Sequence, residues 1–160
     1  MNPRLHIDTT ETGISEIGLG VEGKTVDSQN KVQGALARRW ERAARKELQA
    51  YFAGRLRKFS VPCDLNLLPP FTRAVLRITS QIPYGDVRTY QWVAKRLGKP
   101  GASRAVGNAL ARNPIPFVIP CHRVVRSDGT PGGFSLGLSW KKKLQGLERS
   151  LSKFRKRSSK

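Results

Sequence analysis

The chain has 160 residues, enough for one or two small domains with buried cores, and its 38% hydrophobic content sets it apart from a disordered polymer. Lys and Arg number 30 against 11 Asp and Glu, a net charge of +19 that predicts attraction to polyanions, nucleic acid foremost. No long apolar segment marks a membrane span and the N-terminus lacks the apolar stretch of a secretory signal. Two cysteines and two histidines make neither a disulfide framework nor a metal-ligand spacing, so the expected setting is the cytoplasm and no metal is expected.

In the first thirty or so residues, Leu5 and Ile7, then Ile14, Ile17 and Leu19, alternate with polar residues around Thr-Gly and Glu-Gly turns, which predicts two short antiparallel strands. Residues 33–59 read as a helix. Its stripe of Trp40, Ala44, Leu48 and Tyr51 faces a core, Gly54 sits near its end, and Arg38, Arg42, Arg45 and Lys46 form a solvated face. The stretch "VPCDLNLLPP" reads as the connection between two domains, and Cys63 within it has no histidine or acid pattern around it.

From Phe71 the pattern changes. "FTRAVLRITSQI" predicts a short helix with Phe71, Val75, Ile78 and Ile82 inward. "TYQWVAKRLG" opens on Thr89, suited to an N-cap, and closes on Gly98 at the position after the helix. "KPGASRAVGNALARN" adds a second helix with Ala105, Val106, Ala109 and Leu110 inward and Ser103, Arg104, Gly107 and Asn108 outward. Two short helices joined by a glycine-containing turn are the pattern of a helix-turn-helix. "NPIPFVIP" is too proline-rich for a helix, "RVVRSDGTPGGFS" reads as a strand, an Asp-Gly turn and a glycine-rich loop, and "LSWKKKLQGLE" is a last helix with Leu138, Leu144, Leu147 and Leu151 inward. The tail "SKFRKRSSK" is expected to be a disordered basic segment.

"IPCHRVV" sets Cys121 beside His122 in an apolar run. A thiol reacts as thiolate, and a histidine can take its proton while a carboxylate fixes the imidazole tautomer. Adjacent residues of a strand point to opposite faces, so the pair can cooperate only where the backbone turns, as Pro120 allows. Asp128 and Glu148 are the nearby acids, and spacing does not choose between them.

"NPIPFVIPCHRVV" resembles the signature of the O6-alkylguanine-DNA alkyltransferases, and the likeness runs through "YGDVRTYQWVAKRLGKPGASRAVGNALARN" and on to "GLSWKKKLQGLE". The resemblance implies an α/β (α+β) protein: a ribonuclease-H-like α/β domain over 1–66, a winged-helix-like domain with a helix-turn-helix over 67–151, and a basic tail over 152–160. It implies DNA repair by single-turnover transfer of an alkyl group from O6-alkylguanine, and from O4-alkylthymine, in double-stranded DNA to Cys121, with no cofactor. A monomer is expected, with cooperative packing along DNA left open. Under the resemblance His122 is the base, acting through a water and oriented by Glu148, and Asn113 holds the turn. Tyr90 helps rotate the nucleotide and protonates the departing guanine, and Arg104 fills the gap in the duplex. Val124 and Ser135 read the guanine edge through their main chain; Thr72, Gln91, Lys99 and Ser127 meet the DNA backbone. "FSLG" departs from the family's usual Tyr-Xaa-Gly-Gly or Tyr-Xaa-Trp-Gly: Phe134 lacks a hydroxyl, and Leu136 is expected to narrow the pocket against bulky adducts. The rival is a helix-turn-helix protein that binds lesions without transfer; relatives of that kind carry a non-nucleophilic residue where Cys121 stands.

Overall fold

A computed structural model describes residues 3–20 and 34–157. The chain divides into two compact units, residues 1–67 with 114–116, and residues 68–113 with 117–160.

In the first unit, β1 (Leu5–Thr10) and β2 (Gly13–Leu19) pair antiparallel, Ile7 opposite Ile17, with a bulge at Asp8/Thr9. Period two puts Ile7 and Ile17 on the covered face, and the bulge, which skips Ser15 in the register, brings Ile14 onto it as well. Helix α1 (Ala35–Phe52) lies on this hairpin and contributes Ala37, Ala44, Leu48, Tyr51 and Phe52 to the core. The helix is shorter than the pattern over 33–59 predicts, because the chain reverses at Gly54 (φ 74°), which only glycine adopts without strain. Trp40 is half-buried, its indole N–H donating to the Glu11 carbonyl at 3.2 Å. The expected Glu22-Gly23 turn falls outside the described residues.

The second unit begins with α2 (Pro70–Thr79), where the proline expected to mark a linker takes the first helical position, its fixed φ already helical. The buried face of α2 is Thr72, Val75, Leu76 and Thr79; of the predicted stripe Val75 is buried and Ile82 packs inside from beyond the helix end, while Phe71 and Ile78 are half-buried. A two-residue strand, β3 (Arg88–Thr89), leads into α3 (Tyr90–Arg96). The Thr89 hydroxyl caps α3 by accepting from Trp92 N–H at 3.0 Å, and Gly98 (φ 71°) ends it. After the turn comes α4 (Ser103–Ala111), which buries Val106, Ala109 and Leu110 but leaves Ala105 exposed. Helices α2, α3 and α4 pack on one another.

The proline-rich stretch forms no helix. Its turn comes at Phe117, buried, with φ 73° and its ring edge-on to Trp140 at 6.0 Å. Residues Cys121–Arg123 form one 3₁₀ turn, and β4 (Val124–Val125) pairs parallel with β3, Arg88 opposite Val124. The last helix, α5 (Leu138–Arg157), continues through residues expected to be disordered; it buries Leu144 and leaves Leu138 49% exposed, and the side chain of Leu151 lies outside those described. Among the described residues no helix is long and apolar enough to cross a membrane.

Candidate active site

The 3₁₀ turn answers the question that the adjacent Cys121 and His122 raise. It gives the two side chains a shared, buried setting that an extended strand would deny them. Cys121 is 4% exposed, yet it lines a cavity of about 630 Å³ whose opposite wall is α4. Ser103, Arg104, Gly107, Asn108 and Ala111 of that helix face the cavity, with Tyr90 and Gln91 from α3, and Phe134 and Ser127 from the loops after β4. The sulfur is therefore reachable from the face of the second helix.

Asn113 holds Cys121. Its side-chain amide donates to the Ile119 carbonyl at 3.0 Å and to Cys121 Sγ at 3.1 Å. Burial pushes the Cys121 thiol above its ordinary pKa, and the Asn113 hydrogen bond and the charge of Lys141 pull against that rise. The resting group at neutral pH is thus the thiol, and a base must ionise it. Burial pushes His122 down, which keeps the imidazole neutral and able to accept. Cys63, by contrast, is pushed up to about 11 by burial in the other unit and has no such neighbours.

Glu148, not Asp128, is the acid on His122, its Oε1 standing 2.9 Å from His122 Nε2. Burial raises this carboxyl, but hydrogen bonds from His122 and Arg123 and their charge prevail and hold it at about 2. An ionised carboxylate only accepts, so Nε2 carries the proton and the basic lone pair is on Nδ1. Asp128 is exposed and accepts from Thr130 N–H at 2.9 Å and Thr130 Oγ1 at 2.7 Å.

Arg123 and Lys141, which motif reading passes over, complete the site. Arg123 forks onto Glu148 with Nε to Oε2 at 3.0 Å and Nη2 to Oε1 at 2.9 Å, while Nη1 donates to the Ile82 carbonyl at 2.6 Å. Gly85 N–H adds a bond to Oε2 at 3.0 Å. Lys141, fully buried, donates from Nζ to the carbonyls of Val124 at 2.6 Å and Gly133 at 3.1 Å, joining β4 to the pocket loop. Gln145 Nε2 donates to the His122 carbonyl at 2.8 Å. Lys141, Leu144 and Glu148 are three and then four apart on α5, a spacing that places them on one face and that the run of lysines hides.

Burial depresses Lys141 from 10.5 to about 8, against a smaller upward pull from Cys121. Between those values the unfolded chain binds the proton and the folded chain does not, so stability rises with pH across that window. Wild type is expected to gain about 3 kcal/mol over Lys141→Met between pH 8 and pH 10.5 in denaturant unfolding. A gap that stays constant with pH contradicts the assignment.

Tyr90 lines the cavity, and burial, then the charge of Cys121, raises its pKa. Gly132 (φ 62°) lies so close that a Cβ there would stand 2.5 Å from the Tyr90 hydroxyl, which accounts for the glycine on both counts. The Phe134 ring meets His122 edge-on at 6.4 Å. The other expected site residues are placed less centrally. Val124 is fully buried behind Cys121, Ser135 is exposed, and Leu136 is half-buried outside the cavity lining, where it does not narrow the pocket. Thr72 is buried in α2, and Lys99 is exposed with Nζ 5.7 Å from the centre of the Phe71 ring.

Fold and site together define an α/β protein in which a buried cysteine lines a cavity walled by α4. Residues 70–150 match the family model of the 6-O-methylguanine DNA methyltransferase DNA binding domain. The chain belongs to that family. It is 47% identical over 110 residues to the methylated-DNA–protein-cysteine methyltransferase of Methanosarcina barkeri, covering 67% of each chain. It is 46% identical over 104 residues to that of Mycolicibacterium paratuberculosis, 65% of this chain and 62% of the relative. The Mycobacterium tuberculosis OGT crystallised in complex with DNA superposes with a TM-score of 0.77 at 31% identity, over 92% of this chain and 87% of the other. The α/β fold is that of the OGT structures.

Proposed function

We propose that this chain repairs alkylated DNA by direct reversal, moving the alkyl group from O6 of an alkylguanine onto Cys121 in one irreversible event. Family membership supports the reaction class. The observation that carries the residue assignment is a thiol at the base of an open cavity, beside a histidine held by an ionised carboxylate.

An O6-alkyl group lies within the base stack, so the nucleotide must be extruded at a cost of about a few kcal/mol. Arg104, on the exposed face of α4, fills the vacated space with a planar charged group. Gln91, Lys99 and Ser127 are exposed and take the DNA backbone, while contact at the buried Thr72 falls to its main chain. The Val124 carbonyl, one lone pair already on Lys141, offers the other to the guanine edge, and the main chain of Ser135 supplies a further bond. The Cys121 proton passes by way of a water to His122. The sulfur attacks the alkyl carbon, the S–C bond forms as the C–O6 bond breaks, and the released electron pair stays on the purine, which Tyr90 protonates. The imidazolium then gives up its proton and Tyr90 regains one, so one thiol proton in all ends on guanine. A thioether has neither the acyl carbonyl nor the disulfide bond through which covalent enzymes regenerate, so each molecule reacts once.

Residues 1–66 serve as the ribonuclease-H-like α/β domain, 67–151 as the winged-helix-like DNA-binding and catalytic domain, and 152–160 as a basic extension attracted to phosphate. The protein acts as a monomer in the cytoplasm, and O4-alkylthymine is a second substrate. Duplex carrying isotopically labelled O6-methylguanine tests this reading. Digestion and peptide mass measurement should find one equivalent of label per chain, on the peptide containing Cys121, with no further turnover. Label on Cys63, or continued release of product, overturns it.

A further inference from the structure

We infer that Arg126 is an additional DNA-binding residue, gripping the phosphodiester beside the extruded nucleotide; this rests on the repair reading of the cavity. Arg126 lines the same cavity as Cys121 and Tyr90, from the loop that follows β4. Its main chain is fixed at both ends of a tight turn. Arg126 N–H donates to the Thr130 carbonyl at 2.9 Å, and the Arg126 carbonyl accepts from Gly129 N–H at 3.0 Å. The side chain is exposed, and among the described residues no carboxylate stands within ion-pair distance of it. Asp128, the acid of the same loop, is engaged by Thr130 through both its N–H and its hydroxyl. An anchored loop thus carries a solvated guanidinium with open donors at the cavity.

Extrusion decides which ligand reaches it. The nucleotide swings about its backbone, so its base enters the pocket while its sugar and phosphates stay outside at the mouth. Among the described residues, Arg104 and Arg126 are the only cations in the cavity lining, and the proposed function commits Arg104 to the duplex gap. Arg126 is left for the phosphate, whose oxygens a guanidinium fork fits in pairs. The alternative, a charge that assists Tyr90 as it gives up its proton, suits a desolvated group better than an exposed one, whose field water and salt screen.

The two roles separate by substrate, since free O6-methylguanine base has no phosphate. With Arg126→Ala, the ratio of the repair rate on lesion duplex to that on free base is expected to fall about tenfold. The slope of log binding constant against log salt for lesion duplex should become shallower by about one. Arg126→Lys should restore the slope and only part of the rate ratio, because lysine keeps the charge but loses the fork. An unchanged ratio, or equal loss on duplex and free base, overturns the inference. Wild type run alongside keeps the two questions apart: failure of wild type to take label on Cys121 defeats the repair reading, whereas label on wild type with an unchanged Arg126→Ala ratio defeats only the phosphate contact.

Discussion

Cys121→Ser is expected to lower alkyl transfer by roughly 10⁴-fold or more while binding to lesion duplex stays within about twofold. The substitution changes one atom in a site whose geometry does not depend on it. Asn113 still donates to Ile119, and its bond to Sγ passes to the hydroxyl. The residues proposed to meet DNA belong to α2, α3, α4, the turn between α3 and α4 and the loop after β4, whereas the side chain that donates to the sulfur is that of Asn113, which is not among them. What is lost is the nucleophile. His122 is neutral because burial holds its pKa down, so it is a weak base. A weak base can ionise a thiol whose rise through burial Asn113 and Lys141 oppose, but not an alcohol several units less acidic. Label transfer read against fluorescence anisotropy of a lesion duplex checks both halves. Transfer that survives would place the acceptor elsewhere, and lost binding would make Cys121 a structural residue first.

The sequence reveals those parts of the fold that rest on local rules. Thr89 and Gly98 bracket α3 because capping is decided by the chain within one turn of each end. The hairpin of β1 and β2 follows from alternation, which the bulge at Asp8/Thr9 interrupts. Of the four residues expected to point inward around α2, Val75 and Ile82 are buried while Phe71 and Ile78 are half-buried, since burial there comes from α3 and α4 packing on α2, which no periodicity in α2 alone reports. The pairing of His122 with Glu148 spans 26 residues, so spacing alone does not choose between the two acids; the family resemblance points to Glu148, and the fold brings it to His122. The same holds for Arg123, hidden in plain view inside the PCHR motif, and for Lys141, one of three consecutive lysines of which the other two are exposed. Charge could not single it out, although its phase relative to Leu144 could.

Arg123→Met is expected to destabilise the fold by roughly 3–5 kcal/mol, the cost of removing one member of a buried ion pair. Arg123 supplies three of the bonds that Glu148 accepts, at 2.9, 3.0 and 3.3 Å, and both side chains are nearly inaccessible to solvent. Without the guanidinium the carboxylate loses three of the bonds that offset its burial, although His122 and Gly85 N–H still support it, and its pKa must climb from about 2. In wild type that low pKa contributes stability above the ordinary value of 4.5, which is lost as pH falls toward 2. In the variant, protonation relieves the buried charge instead. The stability gap between the two proteins should therefore be widest near neutral pH and close as pH drops through that window, as denaturant unfolding will show. Adding Glu148→Leu to Arg123→Met removes the orphaned charge and should recover most of the stability, since an apolar replacement of a buried pair is often neutral. It should not recover alkyl transfer, because His122 then has no carboxylate to fix its proton on Nε2. A single variant that unfolds like wild type, with no dependence of the gap on pH, would mean that Glu148 owes its ionisation to something other than Arg123.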